Sequence, residues 1–292
     1  MTNALSATGQ ADLSGRICIV TGAAAGIGKE IARGLAFLGA TVLIAGRHHA
    51  QGAAAAAEVS GGIENGTALP MLLDLASQES IRCFADSFTN RYSRLDVLVN
   101  NAGVWQPQRH LSVDGLELTW AVNVAGPHLL MSLLEPSLQA SAHARVVNVA
   151  STMAGGLDQD DTEFRRRRYN GIAAYKQSKQ ALRMLSWKFA RRLEGSGVAV
   201  NAAHPGFTST RIARNTSGLG GSLTRAFFYL CGKTPCEGAD TPVWLAASAE
   251  AEGFSERFWA NRCERPCCYR DPTAQEQLWE VLCRQNGLDP TC

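Results

Sequence analysis

Apolar residues in the N-terminal part of the chain alternate between short continuous runs and helical spacing. Ile17–Thr21 is a run that ends at a glycine. Ile27, Ile31, Leu35 and Leu38 then recur at intervals of 4, 4 and 3 residues, one face of a helix that Gly39 stops. The alternation continues with a strand over Thr41–Ala45, an alanine-rich helix over 50–59, a strand over Ala68–Leu73, a helix over Ser77–Tyr92 and a strand over Leu95–Val99. Leu111–Leu138 reads as mostly helical and Arg145–Val149 as a fifth strand. Leu182, Leu185, Phe189 and Leu193 keep helical spacing up to Gly195-Ser196-Gly197, and Val198–Ala203 is a sixth strand. Beyond it lie a glycine-rich and then aromatic stretch (217–231), a helix near 236–248, a short apolar piece at Phe254–Ala260 and a closing helix near 273–285. Continuous apolar strands alternating with helices predict an α/β fold, a doubly wound and mostly parallel sheet of about seven strands covered on both faces. No linker or internal repeat interrupts the pattern. It predicts one domain over 14–292 behind a flexible tail at 1–13.

Composition narrows this picture. Hydrophobic residues make up 46% and charged residues 18%, which supplies a sizeable core and excludes a disordered chain. Lys+Arg 28 against Asp+Glu 26 leaves +2, so there is no electrostatic case for nucleic acid as a partner. Residues 1–13 lack the basic start and apolar stretch of a secretory signal. The best apolar run, Ala226–Leu230, is far below the roughly 18–20 residues of a transmembrane segment. Seven of the nine cysteines crowd the last 62 residues: Cys231, Cys236, Cys263, Cys267, Cys268, Cys283 and Cys292. Their spacings lack the short repeated pairs and histidine support of a zinc site, and a bond between the neighbours Cys267 and Cys268 would be strained. No metal is expected. The cysteines read as free thiols and the expected location is cytoplasmic.

Thr21-Gly22-Ala23-Ala24-Ala25-Gly26-Ile27-Gly28 joins the first strand to the first helix. Glycines there allow a tight turn and close backbone approach, and the helix N-terminus offers free N–H groups to a pyrophosphate. Gly22, Ala24, Gly26, Ile27 and Gly28 are therefore candidate dinucleotide contacts. An NAD site would place a carboxylate about 20 residues further on. Gly46-Arg47-His48-His49 stands there instead. A guanidinium suits a ribose 2′-phosphate, so Arg47 points to NADP(H) rather than NAD(H). Asp74, beside Leu75 after the third strand, could accept from the adenine amino group or cap the helix that begins near Ser77.

These segments, with NNAG (100–103), Asn123 in AVNVAG, RVVNVAS ending at Ser151, YKQSK (175–179) and HPGFTST (204–210), resemble the short-chain dehydrogenase/reductase family over nearly the whole chain. The resemblance implies a Rossmann fold and a catalytic set of Ser151, Tyr175 and Lys179, with Asn123 holding a water that relays protons to the lysine. It implies cofactor contacts from Asn101, Ala102 and Gly103, from Tyr175 and Lys179, and from Pro205, Gly206, Thr208 and Thr210 around the nicotinamide. It also implies a homodimer or homotetramer paired through the helices carrying Asn123 and Tyr175.

The chemistry follows separately from spacing. Tyr175 and Lys179 lie four residues apart and share one helix face. An ammonium about 4 Å from the phenol, at an effective dielectric near 20, would favour the phenolate by roughly 4 kcal/mol, and desolvation would oppose it. Tyr175 is then expected to titrate below its usual value and to exchange a proton with the substrate oxygen while Ser151 bonds that oxygen.

Ser151 and Tyr175 are 24 residues apart, a longer gap than in many members of the family. With NGIAAYKQSKQAL and ARRLEGSGVAVNAAHPG, that gap resembles the retinol dehydrogenase branch. The implied substrate is a bulky apolar carbonyl or alcohol. Reduction of a double bond, as in protochlorophyllide reductases, and a non-catalytic NADP(H)-binding regulator are the alternatives. Within the insert (157–170), four acids precede four arginines, and the run is expected to be a solvated face rather than a flap. Segment 215–235, with Phe227, Phe228 and Tyr229, is the expected substrate lid.

Overall fold

The computed structural model describes residues 11–206 and 233–290. Its strands are β1 (Ile17–Thr21), β2 (Thr41–Gly46), β3 (Thr67–Leu72), β4 (Val97–Asn100), β5 (Arg145–Val149), β6 (Ala199–His204), β7 (Phe258–Ala260) and β8 (Cys263–Arg265). They form one sheet in the order β3-β2-β1-β4-β5-β6-β7-β8. Every pairing from β3 to β7 is parallel, and β7–β8 is antiparallel. The expected doubly wound α/β domain is what the chain forms, with a short eighth strand at the edge. Strand order reverses between β1 and β4, which opens a crevice at their carboxyl ends.

The helices are α1 (Gly26–Phe37), α2 (His49–Ser60), α3 (Gln78–Thr89), α4, α5 (Gly171–Arg192), α6 (Pro235–Ala247) and α7 (Pro272–Asn286). Helix α4 runs through Leu118–Trp120, a π-helical turn at Ala121–Ala125, and Gly126–Gln139. Alternate strand residues feed two cores. Ile19, Leu43, Leu98, Val146 and Val200 pack with α3, α4, α5 and α7. Val20, Val42, Ile44, Val99 and Val147 pack with α1, α2 and α6. Burial on both faces is why these strands read as continuous apolar runs.

Three local expectations change. The helix expected from Leu111 begins at Leu118, because Leu111 bridges to Glu117 across a turn at Gly115 (φ 78°), and the Glu117 carboxylate then caps the helix. The expected tail lies mostly outside the described residues, but Leu13 is buried and donates its N–H to Leu38 O (2.7 Å), so the packed domain starts before residue 14. The hairpin β7–β8 was not anticipated. Its two turn residues, Asn261 and Arg262, have φ of 54° and 57°, as a tight two-residue turn requires. Arginine is a poor residue for that conformation, and here Asp240 pairs with its guanidinium while Thr241 Oγ1 accepts its N–H (3.1 Å).

The insert is a folded loop whose arginine run is solvated as expected, with Arg165, Arg166 and Arg168 exposed and Arg167 half-buried, while Asp161–Phe164 before the run turn inward. Asp161 is buried with 2% of its side chain exposed and accepts the N–H groups of Arg165 (2.7 Å), Arg166 (3.3 Å) and Arg167 (3.0 Å) and the Nε of Arg167 (3.2 Å). Those donors hold its carboxyl below the ordinary carboxylate range against the opposing effect of burial. Phe164 is buried at φ 52°, with the Arg167 guanidinium 4.3 Å from its ring centroid. Glu163 accepts from Glu117 N (3.1 Å) and Gln285 Nε2 (3.3 Å), so the loop ties α4 to α7. Among the described residues the cysteines are unbridged; Cys231 and Cys292 lie outside them.

His128 of α4 is buried between Trp279 and Phe189, with Asn286 Nδ2 2.9 Å from its Nδ1. Burial lowers its pKa to about 3, and burial with nearby cations lowers that of His204 to about 4. The unfolded chain protonates both below about pH 6.5, while the folded chain resists until those lower values. Stability is therefore fully present above about pH 6.5 and is lost as the pH falls. Denaturant titrations at pH 7.5, 6 and 5 should show a progressive loss, and His128→Gln should flatten it by about half. A second prediction concerns the insert. Asp161→Ala should cost on the order of 2 kcal/mol in the same titration, because it strands several donors at once.

Candidate active site

Ser151 stands two residues beyond the end of β5, and the segment before it is tied on both sides. Ala150 N donates to Ala203 O (2.8 Å), and Lys179 Nζ donates to Val149 O (3.0 Å). Helix α5 carries Tyr175 and Lys179 on one face. It starts where Asn170 accepts the N–H groups of Ile172 and Ala173, both at 3.0 Å. Gly171 is needed there, because a Cβ would lie 2.2 Å from Gln106 O. The Ser151 hydroxyl lies near enough to Tyr175 to lower its titration. It also accepts from Met153 N (3.1 Å).

Asn123 sits in the π-helical turn, 1% exposed. Its Oδ1 accepts Val104 N–H (2.8 Å), and its Nδ2 donates to Val104 O (2.9 Å) and Ser178 Oγ (3.0 Å). Both amide hydrogens are committed, so a water held by Asn123 would bind through oxygen. A Cβ on Gly103 would sit 3.4 Å from both Asn123 Oδ1 and Lys179 Nζ. The four expected catalytic residues thus converge at one place.

Their electrostatics differ from the sequence expectation. Lys179 Nζ points to the Val149 carbonyl and lies 5.7 Å from the Tyr175 ring centroid. Burial lowers the lysine to about 8. Burial raises Tyr175 above its ordinary value, and Ser151 only partly offsets it. The phenol is not depressed, because desolvation exceeds what a displaced, itself desolvated ammonium returns.

The glycine turn lies beside this cluster. Thr21 Oγ1 accepts the N–H groups of Asn101 and Ala102, both at 3.0 Å, and Asn101 Nδ2 donates to Thr21 O (2.9 Å). Gly22 (φ 67°) has no room for a side chain, since its Cβ would lie 3.0 Å from Ala102 Cα. A Cβ on Gly28 would lie 2.4 Å from Asn101 Nδ2. Gly26 (φ 60°) instead faces open space. Ala25 offers α1 no side-chain cap and the first turn holds no acid, so the leading N–H groups stay available to an anion. Ala24 is half-buried in the turn and Ile27 is buried beneath it. The turn fits a pyrophosphate.

Arg47 is exposed just beyond β2 and makes no ion pair among the described residues, whereas Lys29 and Arg33 of α1 are both held by Glu58. Asp74 is not the cap of α3. Its Oδ1 accepts Ala76 N–H (3.0 Å), Ser77 is the cap, and Leu75 is buried. Pro205 and Gly206 (φ 87°) follow β6 toward the same edge of the sheet. Thr208, Thr210 and most of the expected lid lie outside the described residues; its last residues, Thr234 and Pro235, cap and begin α6.

Sequence reasoning missed the braces around the site. Asn100 Nδ2 donates to Asn148 Oδ1 (2.8 Å), and Asn148 Nδ2 to Ser186 Oγ (2.9 Å). Arg183 was missed as well. It is buried and donates to the Ser151 carbonyl. Its place one turn beyond Lys179 was the available signal. Among the described residues no group of His, Cys, Asp or Glu is arranged to hold a metal, and no helix is long and apolar enough to cross a membrane.

The family profile described as short chain dehydrogenase matches residues 16–218. Retinol dehydrogenase 13 of Homo sapiens is 36% identical over 288 residues, 96% of this chain and 87% of its own. Retinol dehydrogenase 12 of Homo sapiens is 38% identical over 282 residues, 94% of this chain and 88% of its own. Among solved structures, the Pseudomonas aeruginosa RhlG/NADP active-site complex superposes with a TM-score of 0.67 at 30% identity, covering 86% of this chain and 96% of that one. With the motifs in family order on a single doubly wound sheet, the chain belongs to the short chain dehydrogenase family and is a retinol dehydrogenase-like oxidoreductase of it.

Proposed function

We propose that the chain is an NADP(H)-dependent oxidoreductase that interconverts the carbonyl and alcohol of a bulky apolar substrate, such as a retinal-like, polycyclic or aromatic aldehyde or ketone. The observation that carries this reading is a half-buried phenol, Tyr175, beside Ser151 and the buried ammonium of Lys179, at the edge of the sheet that holds an uncapped glycine turn.

The dinucleotide, when bound, supplies or accepts the hydride. Gly22–Gly28 and the leading N–H groups of α1 would hold its pyrophosphate, and Arg47 a 2′-phosphate. At neutral pH Tyr175 is protonated, because its pKa lies above the ordinary phenol value. It therefore acts as the acid in carbonyl reduction, giving its proton to the substrate oxygen while Ser151 donates a second hydrogen bond to that oxygen. Lys179 and Asn123 stand behind it as the source of the replacing proton. Met153 and Ile172, 40% and 55% exposed, flank Ser151 and Tyr175 in sequence with apolar side chains. They favour an apolar substrate, as do relatives named retinol dehydrogenase.

Tyr175→Phe should cut kcat for NADPH-dependent aldehyde reduction by roughly a hundredfold or more while NADPH binding is retained. If the wild type binds NADPH and no carbonyl panel gives Tyr175-dependent oxidation of it, the reading fails. The pH profile adds a sign. Reduction needs protonated Tyr175 and should fall only at alkaline pH, whereas alcohol oxidation should rise as the pH increases.

A further prediction concerns Arg47. Arg47→Ala should weaken NADPH by roughly 10- to 100-fold and leave NADH nearly unchanged, the range expected for losing a charge-assisted bond. Equal wild-type affinity for the two cofactors in a fluorescence titration would refute the NADP assignment.

A further inference from the structure

Arg183 lies four residues beyond Lys179 and eight beyond Tyr175 on α5, so the three share one helix face. It is 5% exposed. Among the described residues it forms no ion pair with a carboxylate. Its guanidinium lies 3.6 Å from the ring centroid of Phe258 in β7 and 5.7 Å from that of Tyr269. One terminal nitrogen faces Cys267 Sγ (3.9 Å) and the other donates to Ser151 O, while Nε has no partner. A buried cation left on aromatic faces and one carbonyl costs stability, unlike a cation that answers a buried acid. The core packing does not account for it, since an aliphatic side chain would fill the same helix position.

The backbone it holds has one notable feature. Val149 O is taken by Lys179, Ala150 N by Ala203 O, and Ser151 O by Arg183. Two successive cations of α5 thus grip carbonyls on either side of Ala150. Beyond Ser151 the chain leaves the sheet, and strand pairing no longer sets its peptide planes. Tyr269 adds a second hold on that departing loop, donating its hydroxyl to Ala154 O (3.0 Å). Arg183 and Tyr269 meet each other, so the loop is held from α5 and from the C-terminal segment together.

We propose that Arg183 is a positioning residue: by fixing the peptide that follows Ser151 it aims the serine hydroxyl at Tyr175, and the segment Phe258–Tyr269 holds Arg183 for that task. The proposal rests on the oxidoreductase reading for its effect on turnover, but not for its effect on the phenol. Lys179 on the same helix lies 5.7 Å from the phenol ring, and His204 of β6 lies within the fields of Arg183, Lys233 and Lys179. Ser151 is the neighbouring side chain that favours the phenolate, so a misaimed Ser151 leaves Tyr175 harder to ionise. The planar guanidinium suits the task, because it can stack on Phe258 and donate in plane to Ser151 O at once, which an ammonium cannot.

The test uses Arg183→Met, Arg183→Lys and Ser151→Ala, alone and combined, in the full chain. Tyr175 ionisation is read from phenolate absorbance as the difference from Tyr175→Phe, a readout that needs no substrate. Arg183→Met should move that titration to higher pH and lower kcat about tenfold or more, with NADPH affinity within about twofold. Arg183→Lys, which keeps the charge and one donor, should recover part of both effects. In the Ser151→Ala background Arg183→Met should add nothing further, because the residue it aims is gone. An unchanged titration, or losses that multiply in the double variant, would overturn the proposal. Absence of turnover in the wild type would instead sink the oxidoreductase reading and leave the titration to decide on Arg183. If Arg183→Met does not fold, the same cycle with Arg183→Lys decides it by the same two criteria.

Discussion

A parallel sheet buried on both faces must still end, and at each carboxyl end the last carbonyls need donors that the next strand no longer supplies. Much of the site is the set of answers to that constraint. Val99 O takes Asn101 N and the hydroxyl of Thr21, and Thr21 O takes the side chain of Asn101. Val149 O takes Lys179, Ser151 O takes Arg183, and Val104 O takes Asn123. The side chains recruited for this are those that converge on the crevice where strand order reverses. Their rigidity follows from the cost of leaving a buried carbonyl unpaired, so satisfying the backbone also preorganises the chemistry.

What could be read from the sequence was what short spacing controls. The glycine turn, the Tyr175–Lys179 pair and the strand–helix alternation each declare themselves within a few residues, and the sheet they predict is the one formed. Interactions between distant residues were invisible. Arg183 meets Cys267 across 84 positions, and Glu163 meets Gln285 across 122. Leu111–Leu138 is mostly helical as its spacing suggests, and its start moves to Leu118 because Gly115 and the Glu117 cap outweigh apolar spacing locally. The arginine run is the solvated strip its spacing suggests, with Arg165, Arg166 and Arg168 exposed. The fold beneath it could not be read from adjacent charges: Asp161 uses the backbone N–H groups of that run as well as one guanidinium.

That loop also explains how a long gap between Ser151 and Tyr175 leaves the two at one site. The added residues fold onto themselves around Asp161 and dock on α4, α5 and α7 through Glu163, Arg167 and Tyr169. Arg167 donates to Gln177 Oε1 (3.1 Å) on α5, and the Tyr169 hydroxyl to Glu117 Oε1 and Gln106 O, both at 3.1 Å. The gap is consumed before α5 begins, and the contact of Gly171 with Gln106 then sets where the helix starts. The phenol reaches Ser151 from a helix whose origin is fixed independently of loop length.

Burial moves the two central groups in opposite directions, the phenol up and the ammonium down to about 8. Close to their ordinary values, near 10 and 10.4, neither would give a proton to the other with much preference. Shifted apart, they have an order: in the proposed reduction a phenolate left after proton donation would be a stronger base than the amine of Lys179, so re-protonation of Tyr175 from that side would run downhill. Arg183 affects this order through Ser151, which lowers the phenol and so keeps the difference from growing until Tyr175 no longer parts with its proton. The desolvation that upset the expected phenolate is therefore compatible with proton transfer, provided the serine stays aimed at the phenol.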